Sequence, residues 1–192
     1  MKILLATHNA NKAEEIRALL PHVEFVTLKE LNDFEEIIED GATLQENALI
    51  KARAGVARHN LPCLADDTGL LVDALDGAPG VYSARYAGEP ANAENNMSKL
   101  LQELDGEENR NAAFETILVF VDDSEVPHVF SGKVEGAITE SRSGSAGFGY
   151  DPIFTPKGYQ QTFAQMSREE KGEISHRGRA LQKFKTFIGE RL

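Results

Sequence analysis

Several short stretches hold residue types from which a reactive site could be built. Leu4-Leu5-Ala6-Thr7-His8-Asn9-Ala10-Asn11-Lys12 passes from apolar residues through small polar ones to a lysine. That order suits a turn holding phosphate at a helix start, although it lacks the glycines and the Gly-Lys-Ser/Thr ending of a P-loop. Asp66-Asp67-Thr68-Gly69 sets two carboxylates side by side where a strand reads as ending in a turn. Neighbours on a strand face opposite ways, and a turn closing on glycine can bring both to one site. Such a pair suits Mg²⁺, which takes oxygen ligands and keeps several waters. Equally, aspartates and glycine simply make turns. Glu35, Glu36, Glu39 and Asp40 cluster in a stretch that is either a solvated loop or the source of a further metal ligand.

Three other groups are basic or aromatic. Glu46, Asn47, Lys51 and Arg53 share one long helical pattern, where a lysine ordinarily sits in solvent. Ser175-His176-Arg177 opens the final helical pattern, with Lys171 just upstream. Helix starts disfavour positive charge, so an anion or electron-rich ligand at that end would explain three basic groups. Gly147-Phe148-Gly149-Tyr150-Asp151-Pro152 sets aromatic rings between glycines. Such a loop can offer a ring to a flat base or plug the core beneath it.

The elements that must position these groups follow from periodicity. Residues 2–7 read as a short buried strand. Ala13, Ile16, Leu19 and Leu20 recur at helical spacing up to Pro21. Residues 23–28 read as a second strand and the acidic stretch to Ala42 as an exposed loop. Thr43-Leu44-Gln45-Glu46 is a capping box opening a long helix that ends near Asn60 to Pro62. Residues 62–75 read as strand, tight turn, strand, and residues 77–88 as a glycine-rich loop. Residues 91–104 read as helix. Two long strands over 112–123 and 128–138 are joined near Ser124 to Pro127, and the first has both faces apolar, as a central strand does. Residues 144–152 read as a flexible loop. Leu181, Phe184 and Ile188 mark a closing helix. Strands and helices without strict alternation predict an α/β domain with a mixed sheet.

Composition narrows the function classes. The chain has 192 residues with 41% apolar residues, enough for one domain with a real core. No run approaches a membrane-helix length, and the start turns polar too early for a secretory signal. The single cysteine, Cys63, rules out an intramolecular disulfide framework and fits a reducing cytoplasm. In Leu61-Pro62-Cys63-Leu64 it reads as a small buried hydrophobe. A net charge of −11 repels nucleic-acid polymers and anionic membranes. A small anion remains admissible where lysines and arginines gather or a cation bridges.

Taken in order, these pieces closely resemble the inosine triphosphate pyrophosphatase family, house-cleaning enzymes for non-standard purine nucleotides. The matching stretches are 6–12, 46–52, 65–70, 77–88, 147–154 and 169–177, and the likeness covers essentially the whole chain. The resemblance implies a single domain over 1–192. It implies an elongated, twisted mixed sheet flanked by helices, with the active-site cleft between two lobes. It implies hydrolysis of ITP, dITP and XTP to the monophosphate and pyrophosphate, a Mg²⁺ cofactor for which Mn²⁺ can substitute, a homodimer with residues 77–88 able to contribute to its interface, and a cytoplasmic location.

Residue by residue, the same resemblance assigns the triphosphate to the turn of Thr7, His8, Asn9, Ala10, Asn11 and Lys12. Thr7 and Asn9 would offer polar contacts, helix-start amides would donate, and Lys12 would neutralise charge. Asp67 matches the catalytic acid/base and metal-binding aspartate, with Asp66 beside it and the division between ligand and base left open. Lys51 matches a helix lysine aimed into the site, and Thr68 a substrate contact. Phe148, Gly149, Tyr150, Asp151, Lys171, His176 and Arg177 match positions around the nucleotide, with Phe148 the base stacker. His176, Arg177 and amides near Phe148 are candidate donors to the C6 oxygen of the base. A loop glutamate would be a further metal ligand, Glu39 before Glu36. Two other readings stand beside this one: a nucleotide sensor without turnover, and a metal phosphatase releasing orthophosphate.

Overall fold

The computed structural model describes residues 2–190. Its strands are β1 (Lys2–Leu5), β2 (Glu24–Thr27), β3 (Cys63–Val72), β4 (Pro79–Gly80), β5 (Asn111–Val121), β6 (His128–Ile138) and β7 (Phe154–Pro156). The helices are α1 (Ala10–Leu19), α2 (Leu44–His59), α3 (Ala93–Glu103), α4 (Arg168–Ile174) and α5 (His176–Gly189). The strands form one mixed sheet in the order β2-β1-β3-β5-β6-β7, with β4 pairing β3 off this path. β5 is therefore interior, as its two apolar faces require. The α/β class and the mixed sheet agree with the sequence reading. The chain divides into two compact units, Met1–Asp67 with Thr116–Gly132 and Arg177–Leu192, and Thr68–Glu115 with Lys133–His176.

In the first unit β1 runs parallel to β2 and to β3, with Leu4 opposite Cys63 and Leu5 opposite Leu64. Alternation along these strands sorts their side chains onto two faces. Ile3, Leu5 and Leu64 pack with Ala13 and Ile16 of α1 and with Leu181, Phe184 and Ile188 of α5. Leu4 and Cys63 face α2, where a Cβ added at Gly55 would lie 2.5 Å from Cys63 Sγ and 3.1 Å from Leu4 Cδ2. Only a residue without a side chain lets that helix approach so closely. Cys63 is fully buried, which pushes its thiol up to about 12 and leaves it a packing residue.

The second unit has its own core of Leu70, Val72, Met97, Leu100, Phe114, Phe154 and Phe163. Phe114 and Phe154 meet edge to face with centroids 4.7 Å apart. Asn96 of α3 is buried and holds the loop before it, accepting from the Ala87 amide and donating to the Ala84 carbonyl.

Two expectations need correction. β3 is one unbroken strand over Cys63–Val72, not strand, turn, strand. Turn chemistry is overridden because both aspartates are buried against cations, described below, so the chain has no reason to turn toward water. The reversal comes later, where β4 pairs antiparallel to Leu70 and Leu71. The 144–152 loop is bonded within itself, since the Phe148 amide donates to Asp151 Oδ2 at 2.8 Å. The short elements β4, β7 and α4 carry too few residues for a periodic pattern to reveal them.

Candidate active site

Main-chain pairing of β1 with β3 stops at Leu5 and Leu64, followed by one bond from the Ala6 amide to the Leu64 carbonyl. Beyond it the pairing ends at the carboxyl ends of the two parallel strands, the place where open parallel sheets receive ligands. The turn of Thr7 to Asn9 leaves β1 there, and Asp66 and Asp67 leave the pairing there on β3.

The turn is built around the α1 cap. Asn9 Oδ1 accepts from the Asn11 and Lys12 amides at 3.0 and 3.3 Å, and Thr7 Oγ1 accepts from the Asn9 amide at 3.1 Å. Two helix-start amides expected to face a ligand are thus already satisfied by Asn9. Ala10 and Asn11 form the exposed first turn of α1. His8 is exposed, and its Nε2 donates to the Asp33 carbonyl at 3.1 Å. Lys12 turns inward to Asp66 Oδ1 at 3.2 Å. Burial disfavours its ammonium, Asp66 opposes that, and the net effect lowers the Lys12 pKa.

Because β3 is continuous, its two aspartates take different partners. Asp66 shares the parity of Leu64 and meets α1 and α5. Arg177 donates to Asp66 Oδ2 from Nη2 at 3.0 Å and from Nε at 3.3 Å, and its Nη1 donates to Glu15 Oε2 at 2.5 Å. Burial pushes the Asp66 carboxyl up, but the charges of Lys12, Arg177 and Lys51 outweigh it and hold it well below the usual carboxylate range. Asp67 shares the parity of Cys63 and meets α2. Lys51 Nζ donates to Asp67 Oδ1 at 3.2 Å and to Glu39 Oε2 at 2.7 Å. Asp67 Oδ2 is buried without a hydrogen-bond partner among the described residues. Burial raises the Asp67 pKa, Glu39 and Asp66 add to the rise, and Lys51 and Lys12 offset it only in part. Lys51 itself is buried, which works against its charge, yet Asp67, Glu39 and Asp66 together raise its pKa.

The helix carrying Lys51 is fixed at its start by the expected capping box, with Thr43 accepting from the Glu46 amide and Glu46 from the Thr43 amide. Lys51 therefore leaves solvent for a carboxylate pair. Glu39, not Glu36, is the loop glutamate beside it, and Glu36 is exposed. Glu15 lies three residues after Lys12, on the same face of α1, but its partner Arg177 is far away in sequence, so nothing local marks it.

The anion expected at the start of α5 is, for Arg177, the protein's own pair Asp66 and Glu15. Arg177 is 2% exposed and its fork is committed to those carboxylates. That geometry ties Arg177, the candidate donor to the base, to Asp66 and Glu15 within the first unit.

In the second unit, Asp151 is buried and receives Lys171 Nζ at 2.7 Å as well as the Phe148 amide. Lys171 Nζ also lies 4.9 Å from the Phe148 ring centroid. Gly147 has a φ of +73°, and a Cβ there would fall 2.1 Å from Asp151 Oδ2, so only glycine fits this turn. Gly149 also has positive φ but open space around it. Tyr150 is buried and donates its hydroxyl to the Ser83 carbonyl at 2.8 Å. His176 is buried with its ring stacked on Phe114, centroids 4.5 Å apart. Thr68 follows Asp67 on β3, half-buried.

Among the described residues no group of three or more His, Cys, Asp or Glu side chains is preassembled for a metal. No helix among them is long and apolar enough to cross a membrane. The model of the Ham1 family matches residues 3–187. A dITP/XTP pyrophosphatase of Porphyromonas gingivalis is 49% identical over 189 residues, covering 97% of each chain. One of Flavobacterium johnsoniae is 45% identical over 185 residues, covering 96% of each. Among solved structures, the Ham1 protein of Staphylococcus aureus superposes with a TM-score of 0.90 at 38% identity, covering 100% of both chains. A HAM1 protein from Coxiella burnetii gives the same score and identity over 99% of both.

Proposed function

The chain belongs to the Ham1 family, and from that premise we propose that it hydrolyses non-standard purine nucleoside triphosphates, dITP, ITP and XTP, to the monophosphate and pyrophosphate, removing them from the nucleotide pool. The observation that carries a mechanism is the inequality of the two aspartates. Asp66 is held ionised between Lys12 and Arg177. Asp67 keeps one oxygen unpartnered, and its proton affinity is raised by burial. A general base works best when its pKa lies near the working pH, so Asp67 is the group to take a proton from water.

In that step the water oxygen attacks the α-phosphorus, the bond to the bridging oxygen breaks, and pyrophosphate leaves while the proton passes to Asp67. Lys12 and Lys51 stabilise charge developing on the phosphate oxygens in a site sheltered from water. No serine or cysteine nucleophile is needed. The donor set suits Mg²⁺: Asp67 Oδ2 is unpartnered and Glu39 is carried to the same lysine. Glu39 and one oxygen of Asp67 would hold the ion, leaving the other Asp67 oxygen to take the proton, with substrate and water supplying the remaining oxygens. When bound, it would neutralise charge on the phosphates and on the leaving pyrophosphate. Mn²⁺ would substitute. A homodimer and a cytoplasmic location belong to this reading through the family resemblance.

The base would be met by Phe148, with Lys171 at its ring. Hypoxanthine and xanthine carry an oxygen at C6, which accepts; adenine carries an amino group, which would face a donor. Leaving such a buried pair unsatisfied costs about 1–3 kcal/mol, and sites built on hydrogen bonds discriminate strongly. A nucleotide panel with Mg²⁺ and separate detection of pyrophosphate and orthophosphate tests the reading. Pyrophosphate from dITP, ITP and XTP, far above ATP and above GTP, is expected. Orthophosphate would indicate a phosphatase, and no release a sensor.

A further inference from the structure

Glu39 sits in a segment, residues 33–42, that has no regular secondary structure. Apolar burial does not hold it, since Phe34 is 69% and Ile38 76% exposed. Polar anchors do, and α2 supplies them at both ends. At the far end the Gly41 amide donates to Asn47 Oδ1 at 2.9 Å, and the Ala42 amide to Glu46 Oε2 at 2.7 Å. At the near end Asp33 is the hub. His59 Nε2 donates to Asp33 Oδ2 at 2.7 Å, and Arg58 Nη1 reaches Asp33 Oδ1 at 3.5 Å and the Glu35 carbonyl at 3.1 Å. The Asp33 side chain is 10% exposed and that of His59 17%, so this is a sheltered pair and not a screened surface one. The carbonyl of the same Asp33 takes the His8 bond from the phosphate turn.

One rigid helix thus suspends the segment from both ends, and Lys51 from its middle receives Glu39. We propose that His59 and Arg58, acting through Asp33, are positioning residues that fix the Glu39 segment and so set the affinity of Asp67 and Glu39 for a divalent cation. This rests on the metal-assisted reading above. Without the anchor the segment samples other arrangements, and cation binding must bear the cost of ordering it.

The test compares full-length wild type with His59→Ala, His59→Gln and Asp33→Asn. Mn²⁺ affinity is read by electron paramagnetic resonance on nucleotide-free protein, and the metal requirement by pyrophosphate release from dITP. His59→Ala and Asp33→Asn should weaken Mn²⁺ binding roughly tenfold, the usual scale for groups that orient metal ligands. The metal requirement should rise in step, while kcat at saturating metal stays within about twofold. His59→Gln, whose amide still donates to Asp33, should keep most of the affinity. Unchanged Mn²⁺ affinity in His59→Ala would overturn the proposal, as would a loss of kcat that saturating metal does not restore. Should Asp33→Asn fail to fold, the two His59 variants decide. A wild type that binds Mn²⁺ in this anchor-dependent way but releases no pyrophosphate sinks the proposed reaction alone. One that releases pyrophosphate but binds no Mn²⁺ sinks the anchor.

Discussion

Replacing Arg177 by alanine removes the guanidinium between Asp66 and Glu15. Arg177 gives three hydrogen bonds to two carboxylates at a buried position. Deleting one partner of a buried ion pair costs about 3–5 kcal/mol, because the other charge stays uncompensated. At about 2–4 °C per kcal/mol for a chain of this size, the melting temperature should fall by roughly 6–20 °C. The sign of its pH dependence follows from Asp66. Its folded pKa lies below its unfolded value, so its stabilisation is present above about pH 4 and is lost as pH falls toward the folded value. The gap between wild type and variant should therefore be widest near neutrality and narrow in acid. Arg177→Lys keeps a charge without the fork and should fall between the two. On activity, a support for Asp66 loses rate on dITP and dATP together, leaving their ratio of kcat/KM within about threefold. Thermal melts at two pH values and steady-state rates on both nucleotides decide it. An unchanged melting temperature with a collapsed dITP-to-dATP ratio would show that Arg177 reads the base and refute the argument.

Asp67→Asn should cut pyrophosphate release by about two orders of magnitude or more, the scale of a lost general base or metal ligand. Melting should show equal or greater stability, since a raised pKa means the ionised carboxylate costs the fold; a clear loss of stability would count against that. In metal-free protein the Asp67 carboxyl should titrate above the ordinary aspartate value of about 4, and titration at or below it would remove the reason for preferring Asp67 to Asp66 as base. Glu39→Gln should raise the Mg²⁺ requirement more than Glu36→Gln does, and the reverse order in a metal titration would reassign the ligand.

What the sequence shows plainly is local. The capping box at Thr43 and Glu46, the apolar stripe of α1 and the two-faced apolar run of β5 depend on neighbours a few residues apart, and each lies where periodicity places it. What it hides is charge pairing across long separations. Asp66 and Arg177 are 111 residues apart and Glu15 and Arg177 are 162 apart. Without those pairs, Asp-Asp-Thr-Gly reads as a turn and the basic start of α5 as a site for an external anion. With them, β3 continues and the charges satisfy each other. Asp33 stayed invisible for the same reason, since its meaning lies in His59 and His8. Lys51 was legible as a residue type but not as a buried one, because nothing along α2 says that Asp67 and Glu39 would surround it.

The central claim is that water, deprotonated at Asp67, attacks the α-phosphorus of a non-standard purine nucleotide. Hydrolysis of dITP in ¹⁸O-labelled water, followed by mass spectrometry of both products, tests it most directly. One labelled oxygen is expected in dIMP and none in pyrophosphate. Label in pyrophosphate, or labelled orthophosphate in its place, would contradict it.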